Sequence, residues 1–156
     1  MGFRVAKTSD DVLSLSTLVK EALEESRYNQ ASFSPRKAQK FAEGVVKSKR
    51  NQIVLVAEKQ GEPIGFLYCI AGELLVADNY RIGTVQTIYV SAAVRNSLLG
   101  GRVAIGLLKG AASWAKSLCC KELNLHLTYG IEAGRASTFA LRVGFSAVGP
   151  NFSKVL

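Results

Sequence analysis

The most constraining feature of the sequence is residues 88–118, IYVSAAVRNSLLGGRVAIGLLKGAASWAKSL. This stretch reads as a β-branched and aromatic strand that ends at Val90, then a polar loop with glycines, then a helix of about five turns. The first amides of a helix have no acceptor within it, and the helix dipole favours negative charge there. The sequence therefore predicts an anion site at this loop, although a helix entry without a ligand fits the same residues equally well.

Size and composition predict one ordinary globular domain over residues 1–156. Hydrophobic residues make up 48% of the chain and charged residues 21%, which suits a packed core rather than a disordered or fibrous chain. No apolar run is long enough to span a bilayer, and MGFRVAKTSDD at the N-terminus lacks the apolar core of a signal peptide. We therefore expect a cytoplasmic protein with no membrane partner.

The cysteines predict neither a disulfide framework nor a metal centre. Cys69, Cys119 and Cys120 cannot all pair within one chain, and their spacing from the single histidine, His126, is not that of a zinc site. We expect the adjacent Cys119 and Cys120 to be one buried and one half-exposed residue at a helix end.

The net charge of +8 is distributed unevenly along the chain. Residues 10–25 hold five acids and one lysine, whereas residues 95–156 hold eight basic residues and two acids. The basic half contains the predicted anion site, so an anionic partner is expected. Nucleic acid is one such partner, but it is not favoured because the basic residues are scattered and are not interleaved with aromatics.

Periodicity and turn residues predict alternating strands and helices along the rest of the chain. Ser34 before Pro35 is a good N-cap, and Gly144 is a left-handed helix end. The predicted elements are, in chain order, strand 3–6, helix 10–25, helix 35–47, strands 53–58, 64–71 and 85–90, the central helix, strand 123–127, helix 131–143 and a strand that begins at Phe145.

The string LGGRVAIGLL, with Trp114 and Ala115 further along the helix, resembles the acetyl-CoA-binding segment of the GNAT N-acetyltransferases. The family pattern is Gln or Arg, two residues, Gly, one residue, then Gly or Ala. Divergent members, phage-like ones among them, have Arg-Gly-Ser-Arg-Ala-Ala at this place, and residues 100–104 fit that variant better.

Two registers of this motif are open. In the first, the motif runs from Leu99 to Ala104, only Ala104 matches, and residues 95–98 are an insertion. In the second, Arg95 takes the first position, with Leu98 and Gly100 at the fourth and sixth. The second register lengthens the helix before its tryptophan by about one turn, and we prefer the first.

The string ASTFALRVGF, residues 136–145, resembles the closing helix of the same family, Ala-x-x-Phe-Tyr-x-x-x-Gly-Phe. Ala140 stands where the family has the tyrosine that protonates the departing thiolate. The resemblance follows the element order of nearly the whole chain. It implies an α/β (α+β) domain with a mixed, largely antiparallel sheet flanked by helices. It also implies an enzyme, an acyltransferase that moves an acetyl group from acetyl-CoA to a primary amine.

The resemblance further implies site residues. Strand residues 88–90 would bind the pantetheine arm and donate to the oxyanion, while residues 100–104, with Arg102 or Arg95, would bind the diphosphate. The predicted CoA-binding residues are Ile88, Tyr89, Val90, Arg95, Gly100, Gly101, Arg102, Val103, Ala104 and Phe139. The predicted acceptor-side residues are Tyr28, Asn29, Phe33 and Glu73, with Asp78, Asn79 and Tyr80 available nearby. Phe33 could equally be a hydrophobic staple of the second helix.

His126 is the candidate base for the acceptor amine. A histidine is mostly neutral at pH 7 and can accept a proton, and alternation places His126 with Asn124 on one face of strand 123–127. A lone polar residue on a strand is more often a packing or surface residue. Tyr129 or Ser137 are candidates for returning the proton to the thiolate in place of the missing tyrosine, and water is the other source.

Two other classes of function remain open. A non-catalytic CoA-binding or scaffold protein is favoured by Ala140 and by the absence of an acid from residues 84–90. A nucleic-acid-associated acyltransferase is favoured by the net charge. The sequence predicts no metal, leaves a homodimer open and does not identify the acceptor amine.

Overall fold

Within the described residues, five strands form one mixed sheet in the order of their appearance in the chain. The computed structural model describes residues 1–48, 50–127, 129–149 and 153. Its elements are β1 (Gly2–Val5), α1 (Ser9–Leu13), α2 (Ser16–Glu25), α3 (Pro35–Lys47), β2 (Gln52–Lys59), β3 (Glu62–Glu73), β4 (Arg81–Val90), α4 (Ala92–Arg95), α5 (Leu98–Ser117), β5 (Glu122–Leu125) and α6 (Ala133–Arg142).

The strand pairing confirms the predicted mixed, largely antiparallel sheet. β1 to β4 pair antiparallel with their neighbours, and β5 joins β4 in parallel. The turn between β2 and β3 consists of Gln60 and Gly61, both with positive φ, which is the backbone that a tight two-residue hairpin requires. None of the helices in the described part of the chain combines the length and the apolar character that a membrane crossing requires.

Alternating side chains of the sheet form two cores, one on each face. On the first face Val54, Val56 and Phe66 pack with α1, α2 and α3. On the second face Leu55 and Leu67 pack with α5 and with part of α6, because neighbouring residues of a strand point to opposite sides. Helices thus cover both faces, as predicted.

A β-bulge interrupts this alternation in β4. Tyr68 of β3 pairs with Thr87, whereas the next residue, Cys69, pairs with Val85, so Gln86 has no partner on β3. One extra residue reverses the faces of all residues after it. Val85 and Ile88 consequently share the α5 core, while Tyr89 lies in the core formed with α1 to α3.

The central helix begins about one turn earlier than the first register of the motif requires. The Ser97 hydroxyl caps it by accepting a hydrogen bond from the Gly100 amide at 3.3 Å, and it donates to the Val94 carbonyl at 2.6 Å. The Gly101 amide already donates to the Ser97 carbonyl at 3.3 Å. Residues 100–104 are therefore helical, so their prediction as a loop was wrong. The helix start agrees with the second register.

Three other predicted elements differ from the structure. Helix 10–25 is two helices, since the Ser14 hydroxyl bonds back to the Asp11 carbonyl at 2.7 Å and α1 ends there. Strand 123–127 ends at Leu125. Residues 145–149 form no strand, and of the chain that follows only Ser153 lies within the described residues. The caps at Ser34 and Gly144 are confirmed.

Cys69 lies in β3, and Cys119 and Cys120 follow the end of α5. Cys69 is fully buried, and burial raises the pKa of its thiol to about 12. Cys120 is half-exposed as expected, but Cys119 is exposed rather than buried, because its left-handed backbone ends the helix there. Among the described residues, no group of three or more His, Cys, Asp or Glu side chains is placed to hold a metal.

Substitutions of the two neighbouring glycines should separate packing from helix propensity. A Cβ at Gly100 would lie 2.4 Å from the Val94 carbonyl oxygen and 2.6 Å from the Arg95 Cα, whereas one at Gly101 would meet nothing within 4 Å. We expect Gly100→Ala to lower the free energy of unfolding by about 1–3 kcal/mol, since backbone atoms of α4 must move. Gly101→Ala should raise it by about 0.5–1 kcal/mol. Urea unfolding of both variants tests this, and equal effects would contradict it.

Candidate active site

A cleft of about 330 Å³ opens where β4 and β5 part. The two strands pair in register as far as Val85 and Leu125, and the last contact is a hydrogen bond of 3.2 Å from the His126 amide to the Val85 carbonyl. Beyond it, residues 87–90 line one wall and residues 125–127 line the other. The bulge at Gln86 lies at this point, and a bulge bends its strand, so it accounts for the parting.

The cleft offers backbone groups to an extended ligand. Among the described residues, no strand pairs with the β5 side of β4 beyond Val85, so that edge can bind an extended chain as a further strand would. The N-terminal turn of α5 closes one end through Gly100, Gly101 and Ala104. An anion at this end would meet the positive end of the helix dipole, while the Gly100 and Gly101 amides already donate to Ser97.

Most of the predicted CoA-binding residues line this cleft. Arg102 is exposed and Val103 is fully buried in the core beneath α5, so neither lines the cleft, and their prediction as CoA-binding residues is not supported. The helix explains this, because successive residues turn by about 100° and cannot all face one side. The predicted CoA-binding residues that do line the cleft are Ile88, Tyr89, Val90, Arg95, Gly100, Gly101, Ala104 and Phe139.

Two of the three candidate catalytic residues also line the cleft. His126 and Tyr129 lie on the wall opposite β4, directly after β5, whereas the exposed Ser137 lies outside the cleft. The Tyr129 carbonyl accepts a hydrogen bond of 2.9 Å from the Arg27 amide, and its ring meets the Tyr28 ring edge-on at 6.0 Å. Ala140 is buried and does not reach the cleft.

The predicted acceptor-side residues do not come together. Tyr28 borders the cleft through its contact with the Tyr129 ring, Asn29 is exposed, and Phe33 lies under the Lys20 ammonium at 5.1 Å. Glu73 lines a different cavity with Asn79 and Cys119.

Glu73 lies far from the cleft, contrary to its predicted place beside the other acceptor-side residues, for a reason of register. Glu73 pairs with Arg81 at the first residue of β4, six residues before Thr87. At about 3.3 Å per residue, this separates Glu73 from the cleft by about 20 Å. Asp78, Asn79 and Tyr80 precede Arg81 in the chain and lie at the same distant end.

A polar network beside the cleft was not anticipated. The Tyr89 hydroxyl donates to a Glu25 oxygen at 2.6 Å, and the Arg95 guanidinium donates to the other oxygen at 2.5 Å and lies 5.7 Å from the Tyr89 ring. Burial acts to raise the pKa of the Glu25 carboxyl. The hydrogen bonds from Tyr89 and Arg95 and the arginine charge outweigh burial, so this pKa lies below its ordinary value of 4.5.

The network also fixes the state of the tyrosine. Burial, with the hydrogen bond to Glu25 and the charge of that carboxylate, raises the pKa of Tyr89 well above its ordinary value. Tyr89 is therefore a neutral donor that orients Glu25. In the sequence Glu25 is one of several acids of a helix, and only the bulge, which turns Tyr89 toward α2, distinguishes it.

We expect Glu25 to make stability depend on pH in the acid range. A folded-state pKa below 4.5 contributes stability that is present above that pH and is lost as the pH falls through the lower value. The difference in unfolding free energy between the wild type and Glu25→Gln should therefore shrink between about pH 6 and about pH 3. Denaturant unfolding across this range measures it. Glu24→Gln, at the exposed neighbour, is the control, and a constant difference for Glu25→Gln would contradict the network.

Solved structures share this architecture over the whole chain. No protein-family model matches the chain, and no curated protein matches its sequence. The ribosomal-protein-alanine N-acetyltransferase from Brucella melitensis biovar Abortus 2308 is 19% identical, with a TM-score of 0.72 over 100% of both chains. Aminoglycoside antibiotic 6'-N-acetyltransferase AAC(6')-IG from Acinetobacter haemolyticus is 20% identical, with a TM-score of 0.71 over 100% of this chain and 99% of that one.

A third structure, AAC(6')-Iy in complex with the bisubstrate analog CoA-S-monomethyl-acetylneamine, has a TM-score of 0.77 at 14% identity. The alignment covers 99% of this chain and 97% of that one. The five-stranded mixed sheet flanked by helices in this chain matches their folds. The chain therefore has the fold of the GNAT N-acetyltransferases.

Proposed function

We propose that this protein is an N-acetyltransferase that moves the acetyl group of acetyl-CoA to a primary amine. The observation that carries the proposal is the cleft between the parted strands β4 and β5, with a free strand edge on one side and a helix N-terminus at its end. The GNAT fold and the bisubstrate complex of AAC(6')-Iy support the same donor. A cytoplasmic location is part of the proposal.

The residues of the cleft fit the parts of a CoA thioester. The free edge of β4 suits the two amides of the pantetheine arm, which bind as a strand does. Gly100, Gly101 and the N-terminus of α5 suit the diphosphate, because the helix dipole favours an anion there and neither glycine has a side chain in its way. Phe139 and Leu108 supply apolar walls between them.

The reaction needs the uncharged form of the amine, held against the thioester carbonyl. The nitrogen attacks the carbonyl carbon, the carbon–sulfur bond breaks, and an amide and a thiolate result. A backbone amide among residues 88–90 would donate to the oxygen as it becomes negative, and such a fixed donor lowers the barrier. Holding both reactants in one cleft lowers it further.

His126 is the proposed acceptor of the amine proton, directly or through water. It lines the cleft at the point where the strands part, where the thioester would lie. Tyr129, on the same wall, is the proposed donor to the thiolate, since Ala140 is buried away from the cleft. Ser137 is not proposed for this role because it does not line the cleft.

Charge placed at Gly101 should test donor binding. Gly101 lines the cleft, and a Cβ added there would meet no atom within 4 Å. We expect Gly101→Asp to weaken CoA binding by at least about tenfold, because its carboxylate would face the diphosphate. Gly101→Asn, of equal size and no charge, is the matched control and should have a smaller effect. Calorimetric titration of both variants with CoA measures this. Equal affinities of Gly101→Asp and Gly101→Asn would show that the diphosphate does not bind at this end of the cleft.

Substitution of His126 should test its role as the base. His126→Gln keeps a polar side chain at this position but cannot accept the amine proton, so it should lower turnover while leaving CoA affinity and thermal stability unchanged. Single-turnover acetylation of a panel of primary amines measures the rates. Rates equal to those of the wild type would exclude His126 as the base.

The same assays separate the other classes of function. CoA binding with no transfer to any amine of the panel would favour a non-catalytic CoA-binding protein. Salt-dependent binding of DNA or RNA fragments would favour a nucleic-acid-associated acyltransferase. Sedimentation of the pure protein decides whether it forms a homodimer.

A further inference from the structure

The carboxylate of Glu132 lies between two arginines at the end of the cleft formed by α4 and α6. One of its oxygens is 2.8 Å from Arg135 Nη1, and the other is 3.8 Å from Arg95 Nε. Arg135 Nη1 also donates to the Asn96 side-chain oxygen at 2.6 Å. All four residues line the cleft, so these contacts join its two walls.

The Arg95 guanidinium has donors that this arrangement does not use. Its Nε and Nη1 atoms are buried, and neither has a hydrogen-bond partner among the described residues. The 3.8 Å approach to Glu132 is an ion pair that is too long for a hydrogen bond. Buried donors without an acceptor are unfavourable, and guanidinium groups bind phosphate oxygens through two parallel hydrogen bonds. The free donors therefore point to an anionic ligand larger than a single carboxylate.

The backbone of Glu132 gives an independent indication. Its φ of 43° is left-handed, which is unfavourable for a residue with a side chain, and its carboxylate caps no amide of α6. The cap and the backbone therefore do not account for a glutamate at this position, which leaves its ion pairs as the stabilising contacts. Its carboxylate stands, however, between two cations at the N-terminus of α6, where the dipole also favours an anion.

We propose that Arg95 and Arg135 together bind the diphosphate of CoA and that the Glu132 carboxylate occupies this position in the free protein. This inference rests on the proposed function, and it adds Arg135 and Glu132 to the residues that the sequence had indicated. When the diphosphate binds, the carboxylate leaves the arginines and the donors of Arg95 gain acceptors. Glu132 thus competes with the donor substrate and limits its affinity.

The test is a set of calorimetric titrations of the full chain with CoA. Glu132→Gln removes the competing charge at equal size and should tighten binding by about three- to tenfold at low salt. Glu132→Gly, which also relieves the left-handed backbone, should tighten it at least as much. Arg135→Gln should weaken binding by about tenfold. The controls are Glu62→Gln at the β2–β3 turn and Arg142→Gln at the far end of α6, which should leave affinity unchanged.

Shortened ligands identify the group that Glu132 opposes. The gain in Glu132→Gln should persist with dephospho-CoA, which keeps the diphosphate, and should vanish with pantetheine, which lacks it. A gain seen with CoA but absent with dephospho-CoA would assign the arginines to the ribose phosphate and overturn the diphosphate assignment. A gain that remains with pantetheine would overturn the role of Glu132 as a competing anion.

Failure of this inference can be distinguished from failure of the proposed function. If the wild type binds CoA and neither Glu132 variant binds it more tightly, the competition is refuted while the donor site stands. Tightening in Glu132→Gly alone would attribute the effect to the backbone and would also refute it. If neither the wild type nor the variants bind CoA, the proposed function itself fails.

Discussion

The bulge at Gln86 is the constraint on which the cleft depends. One residue of β4 without a partner on β3 changes the faces of everything that follows in the strand. It brings Ile88 and Val90 under α5, turns Tyr89 toward α2, and coincides with the end of the pairing between β4 and β5. A regular strand at this place would give a closed sheet and would leave Glu25 without the tyrosine that orients it.

Backbone groups form most of the cleft, and side-chain charge contributes at fewer places. The end near α5 depends on backbone, because Ser97 starts the helix and Gly100 allows α4 to pack against it without a side chain between them. The walls depend on strand edges, which also offer backbone groups. Side-chain charge enters mainly through Arg95 and its acidic partners. This division explains how a likeness of fold persists at 14–20% identity, since backbone geometry tolerates most substitutions.

Local signals in the sequence predicted most of the elements, and long-range geometry accounts for the errors. The serine–proline start of α3 and the glycine after α6 act within one turn, so the sequence alone reveals them. The start of α5 was misplaced because its glycines suggested a loop, whereas the Ser97 cap decided the boundary. The bulge has no local signal, so the role of Tyr89 could not be predicted, and the distance of Glu73 from the cleft depends on the long-range pairing of β3 with β4.

Arg95 stands at the junction of both sides of the cleft. Its guanidinium contacts Glu25 of α2 on one side and Glu132 before α6 on the other. A movement of Arg95 toward one of these acids weakens its hold on the other, so the α2 side and the α6 side of the arginine are electrostatically coupled. Such coupling is reciprocal by thermodynamic necessity. A single side chain thus links the charge of α2 to the charge before α6.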